Sequence, residues 1–102
     1  MIVERNEFYL KFGKAKEALA IWREILESGK NLAGKMPSIR MMTDISGTGY
    51  TLVMEMRLKD FNEINPKNYI WVTNPKFQEL YQKFIPLCES SKRTYYNIEA
   101  EY

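Results

Sequence analysis

The stretch that most constrains this chain is TDISGTGYTLVMEMRL, residues 43 to 58. After its glycines, large apolar side chains recur at every second position: Tyr50, Leu52, Met54, Met56 and Leu58. A period of two puts them on one face of a strand. Thr51, Val53, Glu55 and Arg57 fall on the other face, which mixes apolar and charged groups. SGTG, residues 46 to 49, offers two glycines for positive φ, so it reads as a hairpin connection and not a crossover. The strand entering that turn is SIRMMTDI, residues 38 to 45, with Ile39, Met41, Thr43 and Ile45 in one row and Arg40, Met42 and Asp44 in the other.

Around this hairpin the periodicity changes. NEFYLKF, residues 6 to 12, alternates Phe8, Leu10 and Phe12 against Glu7, Tyr9 and Lys11, and Gly13 ends the strand. Residues 14 to 29 repeat apolar side chains at helical spacing, Ala15, Ala18, Leu19, Trp22, Ile25 and Leu26, with Gly29 as a stop signal. Asp60 suits the cap of a short helical turn ending near Ile64, and Tyr69, Ile70 and Trp71 follow as an apolar flap. Asn74 and Pro75 then form an N-cap and first-turn pair for a helix carrying Phe77, Leu80, Tyr81 and Phe84. Pro86 lacks the N–H that would bond back to Gln82, so this helix kinks or stops there. The last strand is expected over residues 93 to 102, with Thr94, Tyr96 and Ile98 opposite Arg93, Tyr95 and Asn97. The order is β-α-β-β-α-β. Right-handed crossovers make it an α+β, ferredoxin-like domain over residues 1–102, with both helices on one face of a four-stranded antiparallel sheet.

Composition excludes several function classes. The chain has no histidine, which removes imidazole metal sites, histidine-ligated haem and a histidine general base. Its one cysteine, Cys88, permits neither an intrachain disulfide nor a cysteine zinc site, and it suits a reducing, cytoplasmic location. No cofactor or metal is therefore expected. No apolar run approaches a membrane span, and the charged start MIVER does not read as a signal peptide. RNA-recognition domains share the element order, and TGYTLVME, residues 48 to 55, shares Gly49, Tyr50 and Val53 with their strand motif. Leu52 and Glu55 stand where that motif needs stacking aromatics, and Thr48 replaces its basic residue. With a net charge of only +2, no nucleic-acid partner is expected.

Two helices cover one sheet face, and the other must meet water or a partner. Tyr9, Val53 and Tyr95, or Met42 in the other phase, leave that second face without a clean polar character. A homodimer joined through the sheet face follows as an expectation. At this point IRMMTDISGTGYTLVMEMRLKDF and NPKFQELYQKFIPLCESSKRTYYNI resemble the dimeric α+β barrel superfamily, and within it the NIPSNAP-like group. Thr43, Asp44, Ser46 and Gly47 carry the likeness, with Asn74, Pro75, Phe77, Leu80 and the step Ile85, Pro86, Leu87. The resemblance implies a two-subunit barrel with ligands held between the sheet and helices of each protomer. The superfamily includes cofactor-free oxygenases, isomerases and haem-degrading enzymes. The histidine of the haem-degrading members has no counterpart here.

A pocket lined by Trp, Phe and Met with a few polar groups suits a small apolar or aromatic molecule. Asn6, Tyr9, Trp22, Met54 and Trp71 are the expected ligand-binding residues. Each has a plainer reading beside it. Trp22 lies on the buried stripe of the first helix, so core packing explains it, and Asn6, Glu7 and Tyr9 suit an ordinary strand surface. Asp44 reads as a turn former bonding the backbone ahead of it. Cys88 reads as buried and inert, with no histidine to activate it. Two functional readings stay open: binding or transformation of a small molecule without metal, and a barrel that serves only assembly or sequestration.

Overall fold

A computed structural model describes residues 1–30, 37–47, 49–64 and 73–102. Its elements are β1 (Ile2–Leu10), α1 (Ala15–Lys30), β2 (Ser38–Thr43), β3 (Thr51–Leu58), α2 (Pro75–Phe84) and β4 (Cys88–Asn97). The sheet order is β2-β3-β1-β4, with every neighbouring pair antiparallel. This is the ferredoxin-like arrangement.

The register sorts the sheet into two faces. Phe8 pairs with Leu52, Asn6 with Met54, and Glu4 with Met56 across β1 and β3. Phe8, Leu52, Met54 and Met56 pack against Ala18, Trp22 and Ile25 of α1 and Leu80 and Phe84 of α2. Both helices therefore lie over the face that carries the even-numbered residues of β1 and β3. The alternation in residues 50–58 marked that face correctly from Leu52 onward. Val3, Arg5, Glu7 and Tyr9 share the opposite, open face with Thr51, Val53, Glu55 and Arg57.

Helix ends follow local chemistry. Asn74 Oδ1 accepts from the Lys76 N–H at 2.8 Å, and Pro75 starts α2 where no intrahelical donor is needed. Pro86 ends α2, and a 3-10 turn over Ile85–Leu87 delivers the chain straight into β4. A second 3-10 turn spans Phe61–Ile64, and Asp60 Oδ1 accepts from the Asn62 N–H ahead of it. Gly29 does not end α1. It is buried inside the helix, one residue before its last position.

Several expected boundaries move. β1 begins at Ile2, not Asn6, because its first half carries Glu4 and Arg5, whose charges mask the alternation. β1 ends at Leu10, where its pairing with β3 stops, so Phe12 points into solvent at 84% exposure. Ile45 likewise lies beyond β2 and is exposed. Tyr50 belongs to the turn: its φ is +53°, and its ring packs on Phe12 at 5.1 Å between centroids, away from the helices. Gly47 and Gly49 take the expected positive φ. β4 starts five residues earlier than expected, at Cys88, and its phase is reversed. Tyr96 pairs with Val3 on the open face, while Tyr95 pairs with Glu4 on the helix side. The cause is the short turn after Pro86, together with a register shift between Tyr9 and Leu10.

Asp44 acts as the turn former its position suggested. Its carboxylate accepts from the N–H groups of Gly49 and Thr51. The Thr51 bond, helped by Gly49 and opposed by partial desolvation, pulls its pKa below the ordinary 3.8. On the open face Glu55 accepts from Arg40 and Arg5, each at 2.6 Å. The Arg40 hydrogen bond, opposed by desolvation and reinforced by Arg5, holds the Glu55 carboxyl below its ordinary 4.5. A depressed folded pKa contributes stability that is complete above the unfolded value and lost as pH falls through the folded one. Stability to urea is therefore expected to hold from neutral pH to about 5 and to decline below pH 4.5. Glu55→Gln should flatten part of that decline. An unchanged acid slope in the variant would remove Glu55 from the account.

Candidate functional site

The helix-side face changes character along β1. Toward its end it is apolar: Phe8 meets Phe84 edge-on at 4.9 Å and Trp22 at 6.0 Å. Phe84 and Trp22 meet in turn at 5.4 Å, and Tyr81 closes the group. This aromatic cluster forms because α1 and α2 each turn their apolar stripe toward the same strand. Between α2 and β4 it leaves a cleft of about 220 Å³, lined by Phe8, Tyr81, Phe84, Ile85, Cys88 and Ser91 among others.

One rung along the sheet the apolar wall gives way to charge. Phe8 pairs with Ser91 in the cleft wall, and the next helix-side pair is Asn6 with Arg93. Two residues along a strand span roughly 6.6 Å. Arg93 Nε donates to Asn6 Oδ1 at 2.8 Å and sits 3.4 Å from Glu4 Oε1. Asn6 Nδ2 donates to that same oxygen at 3.1 Å. Glu4 is only 4% exposed, and its Oε2 has no hydrogen-bond partner among the described residues. A buried polar atom left unpaired costs on the order of 1–3 kcal/mol, more when it is charged. Trp22 Nε1, deep in the aromatic cluster, is likewise buried and unpartnered.

The expected ligand set divides across this geometry. Asn6 and Met54 are register partners on the helix side, and Trp22 shares Phe8, Tyr81 and Phe84 with the cleft. Tyr9 points to the open face, where its hydroxyl donates to Glu7 Oε2 at 3.5 Å, so it cannot join Asn6 in one site. Trp71, with Tyr69 and Ile70, lies outside the described residues. Glu4 and Arg93 were missed. Extending the alternation back from Phe8 through Asn6 reaches Glu4, whereas Arg93 becomes visible only once the phase of β4 is known.

Cys88 opens β4 beside the cleft. Its thiol donates weakly toward the Phe84 carbonyl at 3.9 Å, and burial pushes its pKa up, so it is not a prepared nucleophile. A larger hollow of about 430 Å³ lies between α1 and the start of β2. Its polar lining, Arg23, Glu27 and Lys30, is exposed, and it holds none of the expected residues. Among the described residues no group of three or more His, Cys, Asp or Glu is placed to hold a metal ion, and no helix is long and apolar enough to cross a membrane.

No protein-family model matches the chain, and no curated protein does. Solved structures do. A NIPSNAP domain protein from Burkholderia xenovorans is similar with a TM-score of 0.78 and 20% identity, over 98% of this chain and 96% of that one. The fold is that of the NIPSNAP and antibiotic biosynthesis monooxygenase proteins. A putative monooxygenase of the latter kind from Nitrosomonas europaea gives a TM-score of 0.74 at 13% identity, covering 98% of this chain and all of its own, 100%. A mutant of SnoaB, a cofactor-independent oxygenase from Streptomyces nogalater, gives 0.70 at 11% identity, over 98% and 94% of the two chains. At these identities the likeness establishes the fold alone.

Proposed function

We propose that the protein is a homodimeric α+β barrel that binds a small apolar or aromatic molecule between its sheet and helices and transforms it without metal, in the manner of a cofactor-free oxygenase or isomerase. The observation that carries the ligand site is the cleft of about 220 Å³ between α2 and β4, walled by Phe8, Tyr81 and Phe84 with Ser90, Ser91 and Glu89 at its polar side. Core packing explains an aromatic cluster by itself. It does not explain the polar groups, Glu89, Ser90 and Ser91, that line the cleft beside that cluster. The neighbour described as a cofactor-independent oxygenase supports chemistry of this kind on this fold. The open face supports the dimer. Val3, Val53 and Met42 lie there among the Arg5, Glu55 and Arg40 ion pairs, and Tyr96 completes the face on β4. The free thiol of Cys88 suits work in a reducing cytoplasm.

Native mass spectrometry of freshly purified protein tests the ligand reading. The expected result is a mass of two chains with a small retained molecule, released as an apolar, ring-containing compound on denaturation. A species that carries no ligand and takes up no aromatic probe would sink this reading.

A further inference from the structure

The cleft between α2 and β4 owes its polar side to an irregularity in the sheet. Leu10 pairs with Cys88 and Tyr9 with Ser90, so Glu89 is an extra residue with no partner on β1. A bulge of this kind re-aims the side chains around it. Edge strands also carry bulges simply to blunt their free side. Here the extra residue lines the cleft, and its carboxylate has no hydrogen-bond or ion-pair partner among the described residues. Ser91, across from Phe8 on the helix side, adds a hydroxyl that is likewise unpartnered among them. Glu89 is the one charged residue among the described residues lining the cleft. Lys11 lies close enough to act on the Cys88 thiol, but it is not part of that lining. Lys83, in the last turn of α2, is held 3.8 Å from Glu79.

We propose that the cleft takes a protonated arylalkyl amine, a single aromatic ring carrying an ammonium on a short chain, and discriminates against carboxylates. The ring lies against Phe8, Tyr81 and Phe84, and the ammonium reaches Glu89 and Ser91. An ammonium offers three donors and no acceptor, which suits a carboxylate and a hydroxyl that both accept. A carboxylate ligand brings like charge to Glu89, and no cation among the described lining residues offsets it. The cleft of about 220 Å³ lies below the roughly 300–1,000 Å³ typical of drug-sized pockets, which favours one ring over a fused system. The proposal rests on the reading of this cleft as the ligand site and adds the ligand's charge to it.

Four probes of similar shape separate the two claims: phenethylamine, a cation; phenethyl alcohol, its neutral counterpart; hydrocinnamate, an anion; and ethylbenzene. Binding is followed by NMR titration of the intact protein, read at the amides of Ser90 and Ser91. Phenethylamine is expected to shift those amides and to bind about fivefold more tightly than phenethyl alcohol, the strength of an ion pair at a partly exposed carboxylate. Its margin over hydrocinnamate should exceed about tenfold, and both margins should shrink as salt rises. Glu89→Gln, at an exposed position, should erase the preference over the alcohol and leave ethylbenzene binding unchanged. Glu99→Gln removes the same charge beyond the far end of β4 and should leave the preference intact. Ethylbenzene shifting the same amides, with no preference for the amine, overturns this inference and leaves the cleft reading standing. So does hydrocinnamate binding best, or a preference that survives Glu89→Gln or is lost in Glu99→Gln. Four probes that leave these amides unmoved overturn both.

Discussion

Tyr96→Lys is expected to dissociate the proposed dimer into monomers without unfolding the chain. Tyr96 is 51% exposed in the single chain, so the fold itself does not depend on its ring. The register with Val3 places it on the open sheet face, near a surface whose fixed charges include Arg5 and Arg40. A buried tyrosine is a frequent source of interface affinity, and losing one costs about 2–4 kcal/mol. That is roughly a 30- to 1,000-fold rise in Kd. A lysine adds the cost of desolvating a charge whose acidic neighbours on this face, Glu55 and Glu7, are already paired with Arg40 and Arg5. Tyr95→Lys is the matched control. One residue away on the same strand, it faces the helix side, beside Phe61 and across from Glu4. Sedimentation velocity at micromolar concentration should show the Tyr95 variant as a dimer and the Tyr96 variant as a monomer. A monomeric wild type, or two variants that sediment alike, would count against a dimer built through this face.

That pair of residues also marks where the sequence stopped being legible. β3 was readable because a run of large apolar side chains at period two admits one face assignment, and a one-residue slip would reverse all of it. β4 carries two adjacent tyrosines, Tyr95 and Tyr96, and few other apolar side chains. Either phase satisfies its local pattern. What decides the phase is where the chain enters the strand, which depends on the turn after Pro86 and the register shift opposite Tyr9 and Leu10. Those are tertiary facts, and no window of sequence contains them.

The candidate site failed to show itself for a related reason. Glu4 lies in a run, IVERN, where charged residues hide a continuing alternation, so the strand seemed to start at Asn6. A carboxylate aimed at a core contradicts the binary pattern, and local rules fail in this way at positions held for something other than folding. Asn6 was recognised as a candidate, but its partner Arg93 is 87 residues away and sits on the strand whose phase was open. Trp22 and Met54 were easy to place because they lie on the stripes that build the core, and neither lines the cleft. Tyr9 and Asn6 part company because residues an odd number apart along a strand lie on opposite faces.

Phe84→Ala is expected to bring the chain close to unfolding. Phe84 is 1% exposed and touches three other rings, Phe8 edge-on at 4.9 Å, Trp22 at 5.4 Å and Tyr81 at 5.9 Å. Its ring joins the stripe of α1, the stripe of α2 and the centre of β1, so no single element can close over the space it leaves. Truncating a buried phenylalanine costs about 3–5 kcal/mol, the lost transfer energy plus the cavity. Total stabilities of single domains run to only about 5–15 kcal/mol. The melting temperature should fall by more than about 10 °C, and the urea midpoint with it. Ile85→Ala, one position along on the solvent side, should cost less than about 1 kcal/mol, because the side chain it removes is already exposed. The comparison reads the packing and the cleft together, since both residues line the same wall. Phe84→Leu, which keeps most of the volume, should recover much of the stability while opening the aromatic wall. Equal losses from Phe84→Ala and Ile85→Ala would mean that α2 does not seat on β1 through this ring, and the cleft would lose its floor along with the core.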